Sequence, residues 1–182
     1  QAACRVWWMF RLFGHDRVSV LDGGLPAWFR AGKDVAEGPV SPEPARFRAH
    51  WDGRLFRDRG AMLANLETGL EQVVDARSEA RFVGTGEENW PCRHKGHIPG
   101  SINVPFTDLL DPRTMTFLAP AHIKARFDAA GLDWDRPVVA TCGSGVTAGV
   151  IPAALRLLGD LGRLASATAP AVEAALKRTS LR

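Results

Sequence analysis

Pro137-Val138-Val139-Ala140-Thr141-Cys142-Gly143-Ser144-Gly145-Val146-Thr147 is the stretch on which the fold turns. Its first five residues form a short apolar, β-branched run, the pattern of a buried strand. Residues 147–158 then read as a helix, so a thiol stands in a tight loop between a strand's carboxyl end and a helix start. Backbone N–H groups in such a loop lack helical partners and favour an anion in front of them. The thiolate, not the thiol, is the nucleophile, so this setting marks Cys142 as a candidate catalytic residue. The bland alternative is a buried core cysteine, since free Cys is among the most buried residue types. Glycines on both sides of the polar Ser144 favour a reactive loop instead.

Working outward, strands alternate with helices. Gln72-Val73-Val74-Asp75 reads as a strand, preceded by a helix over 58–66 and followed by a turn of helix at 78–82. Ile102-Asn103-Val104 is a further short strand, and residues 120–130 form an amphipathic helix with Ile123, Phe127 and Leu132 on or near one face. The alternation implies an α/β fold, a mainly parallel sheet flanked by helices, with ligands beyond the strand carboxyl ends. Upstream, residues 5–14 read as a buried helix closed by glycine, 17–21 as a strand, and 25–31 as a short helix. The proline-rich stretch 36–44 reads as a linker.

Composition narrows the function classes. The 182 residues are 46% hydrophobic and 24% charged, enough for one full core plus extra elements. The net charge of +3 comes from scattered residues, so nucleic-acid binding is not implied, while small anions stay open as partners. Cys4, Cys92 and Cys142 lie far apart with no C-x-x-C pair, which argues against a disulfide framework or a zinc site and suits a reducing cytoplasm. No apolar run approaches the roughly 20 residues of a membrane span, so no membrane partner is expected. A cysteine phosphatase would need an arginine six residues beyond the thiol to grip phosphate, and that position is Ala148. A papain-like site would need a histidine base; His97 is the candidate, but Gly96-His97-Ile98-Pro99-Gly100 reads better as a structural turn.

Taken together, Asp75-Ala76-Arg77, Gly96-His97-Ile98-Pro99-Gly100-Ser101-Ile102-Asn103-Val104-Pro105 and Cys142-Gly143-Ser144-Gly145-Val146-Thr147 resemble the catalytic second domain of tandem-domain rhodaneses. The Gly-Ser-Gly after the cysteine is similar to the 3-mercaptopyruvate sulfurtransferase branch. Val6-Trp7-Trp8 and Leu21-Asp22-Gly23-Gly24-Leu25-Pro26-Ala27-Trp28 resemble the end of that family's first domain. The resemblance implies a rhodanese-like α/β domain, incomplete at both chain ends. It divides the chain into a first-domain remnant (1–35), a linker (36–45), a catalytic domain (46–165) and an atypical tail (166–182).

It also implies a chemistry. A sulfur donor, 3-mercaptopyruvate or thiosulfate, would be attacked by Cys142. The resulting persulfide would pass its outer sulfur to cyanide, a thiol or a thioredoxin-like acceptor. Loop amides of Gly143, Ser144, Gly145, Val146 and Thr147 would hold the negative charge, and no cofactor or metal is called for. In the mercaptopyruvate branch two arginines hold the donor. Arg81 matches the first; the second position falls on Trp90, with Arg93 three residues on as the candidate to reach in.

Three features depart from the family pattern. The Asp and His that the first domain supplies have no counterpart. Pro152 stands about one turn into the expected catalytic helix, at a cost near 3 kcal/mol if interior and tolerated nearer the helix start. After Gly159 the expected closing strand gives way to an alanine-rich tail, with a helix expected over 169–177, so residues 17–21 are expected to fill the vacant sheet edge, within the chain or by a swap between chains. Two functional readings follow: a sulfurtransferase, or a truncated, catalytically impaired sulfur-carrying or binding module.

Overall fold

The strands, in chain order, are β1 (Phe56–Arg57), β2 (Gln72–Asp75), β3 (Ile102–Asn103), β4 (Val138–Thr141) and β5 (Leu164–Ala167). In this computed structural model, which describes residues 1–88 and 94–159 and the backbone of 164–167, they form one parallel sheet in the order β1-β5-β4-β2-β3. All residues of β2 and β4 are buried, as expected for parallel strands covered on both faces. Their register sets Asp75 beside Thr141, which brings the carboxyl ends of β2 and β4 together.

The helices are α1 (Ala2–Leu12), α2 (Gly24–Arg30), α3 (Arg59–Thr68), α4 (Glu79–Phe82), α5 (Pro120–Ala129) and α6 (Val150–Leu157). Local chemistry fixes their ends. The Asp58 side chain accepts from the Ala61 N–H at 2.8 Å to start α3, and Gly69, with φ of 60°, closes it in the left-handed region. Pro120 opens α5, whose Ile123 and Phe127 are buried with Leu132. Helix α1 joins the same core through Cys4, Trp7, Trp8 and Leu12, packed with Val74, Ala140, Cys142 and Ile151. Its Trp8 Nε1 donates to the Leu55 carbonyl at 3.1 Å, and residues 33–52 between them carry no helix or strand. Among the described residues no helix is long and apolar enough to cross a membrane.

The structure corrects three sequence expectations. Residues 17–21 form no strand; they run without ladder partners, with Val18 and Val20 resting against the core. The sheet position expected to be vacant is filled by β5, which pairs with β4 on one side and β1 on the other and crosses the boundary drawn at residue 165. The idea that 17–21 completes the sheet therefore fails. Pro152 is not interior: a 3-10 turn at Thr147–Gly149 precedes α6, so Pro152 lies in the first turn, where an N–H has no intrahelical acceptor. The helix expected over 169–177 lies outside the described residues.

Candidate active site

Cys142 leaves the carboxyl end of β4 and is only 2% exposed. The chain then reverses over itself, so that the Gly145 N–H donates to Cys142 Sγ at 3.0 Å. Gly145 has φ of 81°, a left-handed conformation that glycine adopts without strain. Gly145 is buried, Gly143, Val146 and Thr147 are half-buried, and Ser144 is exposed. An N–H aimed at sulfur in a dry site stabilises negative charge there more than it would in water.

Arginines from three elements surround this loop. Arg77, after β2, donates from Nη2 to Asp75 Oδ2 at 2.7 Å and to the Gly96 carbonyl at 2.7 Å, and from Nη1 to Glu88 Oε1 at 2.9 Å. Burial lowers the Arg77 guanidinium, but bonds and charge from Asp75, then the charges of Glu88 and Cys142, carry it above its ordinary value. Asn103 at the end of β3 fixes the same turn, donating to the Asp75 and Arg77 carbonyls at 2.9 Å each. Arg81, on α4, donates from Nε to Glu88 Oε2 at 2.9 Å and pairs through Nη2 with the same oxygen. Its Nη2 lies 3.0 Å from where a Cβ on Gly143 would stand. Arg5, on α1, approaches from the other side, donating from Nη1 to the Gly145 carbonyl at 3.5 Å, with its guanidinium 4.4 Å from the Trp8 ring centre.

A thiol cradled at the end of a central parallel strand, beside the Asp75-Ala76-Arg77 turn, is the arrangement that the sequence motifs imply. The pattern of the Rhodanese-like domain matches residues 58–165. The chain belongs to the rhodanese-like family. Over 147 residues, 81% of this rhodanese-like chain and 49% of the relative, it is 46% identical to 3-mercaptopyruvate sulfurtransferase of Homo sapiens. It is 42% identical to thiosulfate sulfurtransferase of Bos taurus over 158 residues, 86% of this chain and 53% of that one. The chain thus spans about half the length of the curated relatives it matches. The crystal structure of SseA from Escherichia coli, a 3-mercaptopyruvate sulfotransferase, superposes with a TM-score of 0.78 at 34% identity, covering 90% of this chain and 60% of that one.

Within the rhodanese-like site, the structure brings Cys142, the 143–147 loop and Arg81 together. Trp90 and Arg93 lie outside the described residues. His97 is occupied elsewhere: its ring stacks on Phe82 at 3.8 Å and its Nδ1 is 2.8 Å from the Phe82 carbonyl, so it braces α4. Sequence reasoning missed two participants. Glu88 bridges Arg77 and Arg81, and its only local signal is a carboxylate in the loop before Gly96-His97-Ile98-Pro99-Gly100. Arg5 stands 140 residues from Gly145 and was read only as part of an apolar helix; no spacing rule points from one to the other. Gly149 explains how Arg5 gets there: a Cβ on it would meet the Arg5 backbone N at 2.8 Å, so α1 crosses the start of the helical segment in close contact.

Proposed function

We propose that this chain carries a sulfurtransferase centre with Cys142 as nucleophile, using 3-mercaptopyruvate or thiosulfate as donor. The observation that carries the reading is the Gly145 N–H held 3.0 Å from a buried Cys142 Sγ in a chain of the rhodanese-like family. The Cys142 thiolate attacks the donor sulfur, forming an S–S bond. With 3-mercaptopyruvate the C–S bond breaks, its electron pair stays on carbon as the pyruvate enolate, and the enolate takes a proton to become pyruvate. With thiosulfate the leaving group is sulfite. A nucleophilic acceptor, cyanide or a thiol such as a thioredoxin-like protein, then bonds to the outer sulfur and returns the Cys142 thiolate. The loop amides and flanking arginines stabilise the anion at each stage. Arg81 offers the donor's carboxylate a guanidinium beside Gly143, in competition with Glu88. The free thiol suits a reducing compartment such as the cytoplasm.

The test is the intact mass of the purified chain after incubation with 3-mercaptopyruvate, and separately with thiosulfate. We expect one sulfur atom gained, lost again on adding cyanide, and no gain in Cys142→Ala. A folded chain that gains no sulfur from either donor would overturn the reading in favour of a non-catalytic sulfur-binding module.

A further inference from the structure

Among the described residues, the arginines around Cys142 include one without a carboxylate partner, and it lies on α1. Arg77 and Arg81 are matched by the carboxylates of Asp75 and Glu88, so the β2 and α4 side of the site is neutral as a set. Arg5 differs. Among the described residues it forms no ion pair, and Cys142 is the titratable group that acts on it. Burial pulls the Arg5 guanidinium below its ordinary value, and the negative charge available at Cys142 opposes that fall. Arg5 is also held in place: Trp8 lies under its guanidinium, Gly145 accepts from it, and Gly149 seats its backbone. A side chain on Gly145 would put a Cβ 3.1 Å from Arg5 Nη1, so the glycine that turns the loop also makes room for the cation.

We propose that Arg5 is a positioning residue for the sulfur centre: held on the Gly145 carbonyl, it places beside the Cys142 loop a guanidinium that, among the described residues, has no carboxylate partner, and this cation faces the anion that sulfur carries during transfer, first the attacking thiolate and then the persulfide. This rests on the reading of Cys142 as the nucleophile, but it concerns the anion rather than the transfer. A guanidinium beside a thiolate lowers the energy of the charged form, and the benefit is larger where water is excluded. The site thereby draws its net charge from a helix at the far end of the chain, while the loop residues themselves are neutral.

The experiment is the rate of Cys142 alkylation by iodoacetamide across pH, followed by peptide mass, in the parent chain, Arg5→Met and Arg5→Lys. Arg5→Met keeps a long apolar stem over Trp8 but no charge. Its rate curve is expected to move up by about one pH unit, with alkylation roughly tenfold slower on the acid limb of the curve, while Arg5→Lys stays near the parent. Alkylation of Cys4, which is 4% exposed on α1, reports whether the helix remains docked. An unmoved curve in Arg5→Met with Cys4 protected would overturn the proposal. If Arg5→Met releases α1, Arg5→Lys decides: a curve at the parent position supports the proposal, and one displaced as far as that of Arg5→Met overturns it. The measurement needs no sulfur donor, so a chain that fails to gain sulfur still gives an answer.

Discussion

Replacing Gly149 with alanine tests the contact that brings α1 to the sulfur loop. The added Cβ would lie 2.8 Å from the Arg5 backbone N and 3.0 Å from both Arg5 Cα and the Cys4 carbonyl carbon. Ordinary contact begins near 3.4 Å, so the closest approach is about 0.6 Å short, and all three neighbours are backbone atoms that cannot rotate aside. Helix α1 must therefore shift. Overpacking of this kind costs typically about 1–3 kcal/mol. Against it stands the gain of up to about 1 kcal/mol from putting alanine for glycine in a helical position. The net expectation is a loss of about 1–2 kcal/mol, read as a lower urea midpoint at unchanged slope. Complete undocking is not expected, because buried Trp7, Trp8 and Leu12 each contribute about 1.5–3 kcal/mol to holding the helix. Gly60→Ala is the control. It also stands in a helix, but its Cβ would meet only the Asp58 side chain at 3.4 Å, so that variant should match or exceed the parent. Equal urea midpoints for Gly149→Ala and Gly60→Ala would refute the close-contact argument.

Two further outcomes follow from the site's frame. Arg77→Met leaves Asp75, 0% exposed, without its guanidinium and should cost about 3–5 kcal/mol in urea unfolding; a loss below about 1 kcal/mol would show that the pair is not what holds the turn after β2. Pro152→Ala should change stability by less than about 1 kcal/mol, because α6 starts at Val150; a stabilisation approaching 3 kcal/mol in thermal or urea unfolding would place the proline in a strained interior instead.

The parts of the fold legible in the sequence were those with strong local pattern. Gln72-Val73-Val74-Asp75 and Val138-Val139-Ala140-Thr141 are short β-branched runs, and both are strands with the same limits in the structure. The helix over Pro120–Ala129 announced itself by an N-terminal proline and the spacing of Ile123 and Phe127. What failed was decided by partners rather than by local preference. Val18-Ser19-Val20-Leu21 has strand composition, yet among the described residues no neighbour offers it a ladder, so it stays unpaired. Leu164-Ala165-Ser166-Ala167 has poor strand composition, yet β4 and β1 stand on either side of it and impose the conformation. Strand β1, two residues long, offers no period to read. Cys142, the proposed nucleophile, and its loop were legible because they are contiguous; the charges that surround them were not, because Arg5, Arg77, Arg81 and Glu88 meet only through the fold.

That difference bears on how the site functions. A neutral loop around a buried thiol gives the sulfur oriented N–H groups but no net charge, and a buried anion without a countercharge is costly. The Asp75-Arg77-Glu88-Arg81 chain of ion pairs brings no net charge, since each guanidinium there is matched by a carboxylate, although Arg77 still feels the charge of Cys142. It serves instead to hold the β2 turn and α4 at fixed distance from Gly143. Under the proposed function, an anionic donor approaching Arg81 meets a guanidinium whose Nε and Nη2 are on Glu88, so gripping it requires sharing or displacing that carboxylate. Glu88 keeps its other oxygen on Arg77 while it yields, which limits its movement. Among the described residues the charge left over is that of Arg5, which reaches Gly145 from a helix packed against Gly149. The cation beside the Cys142 loop is thereby tied to the docking of a helix more than a hundred residues away in sequence, and the crossing at Gly149 that seats it admits no side chain.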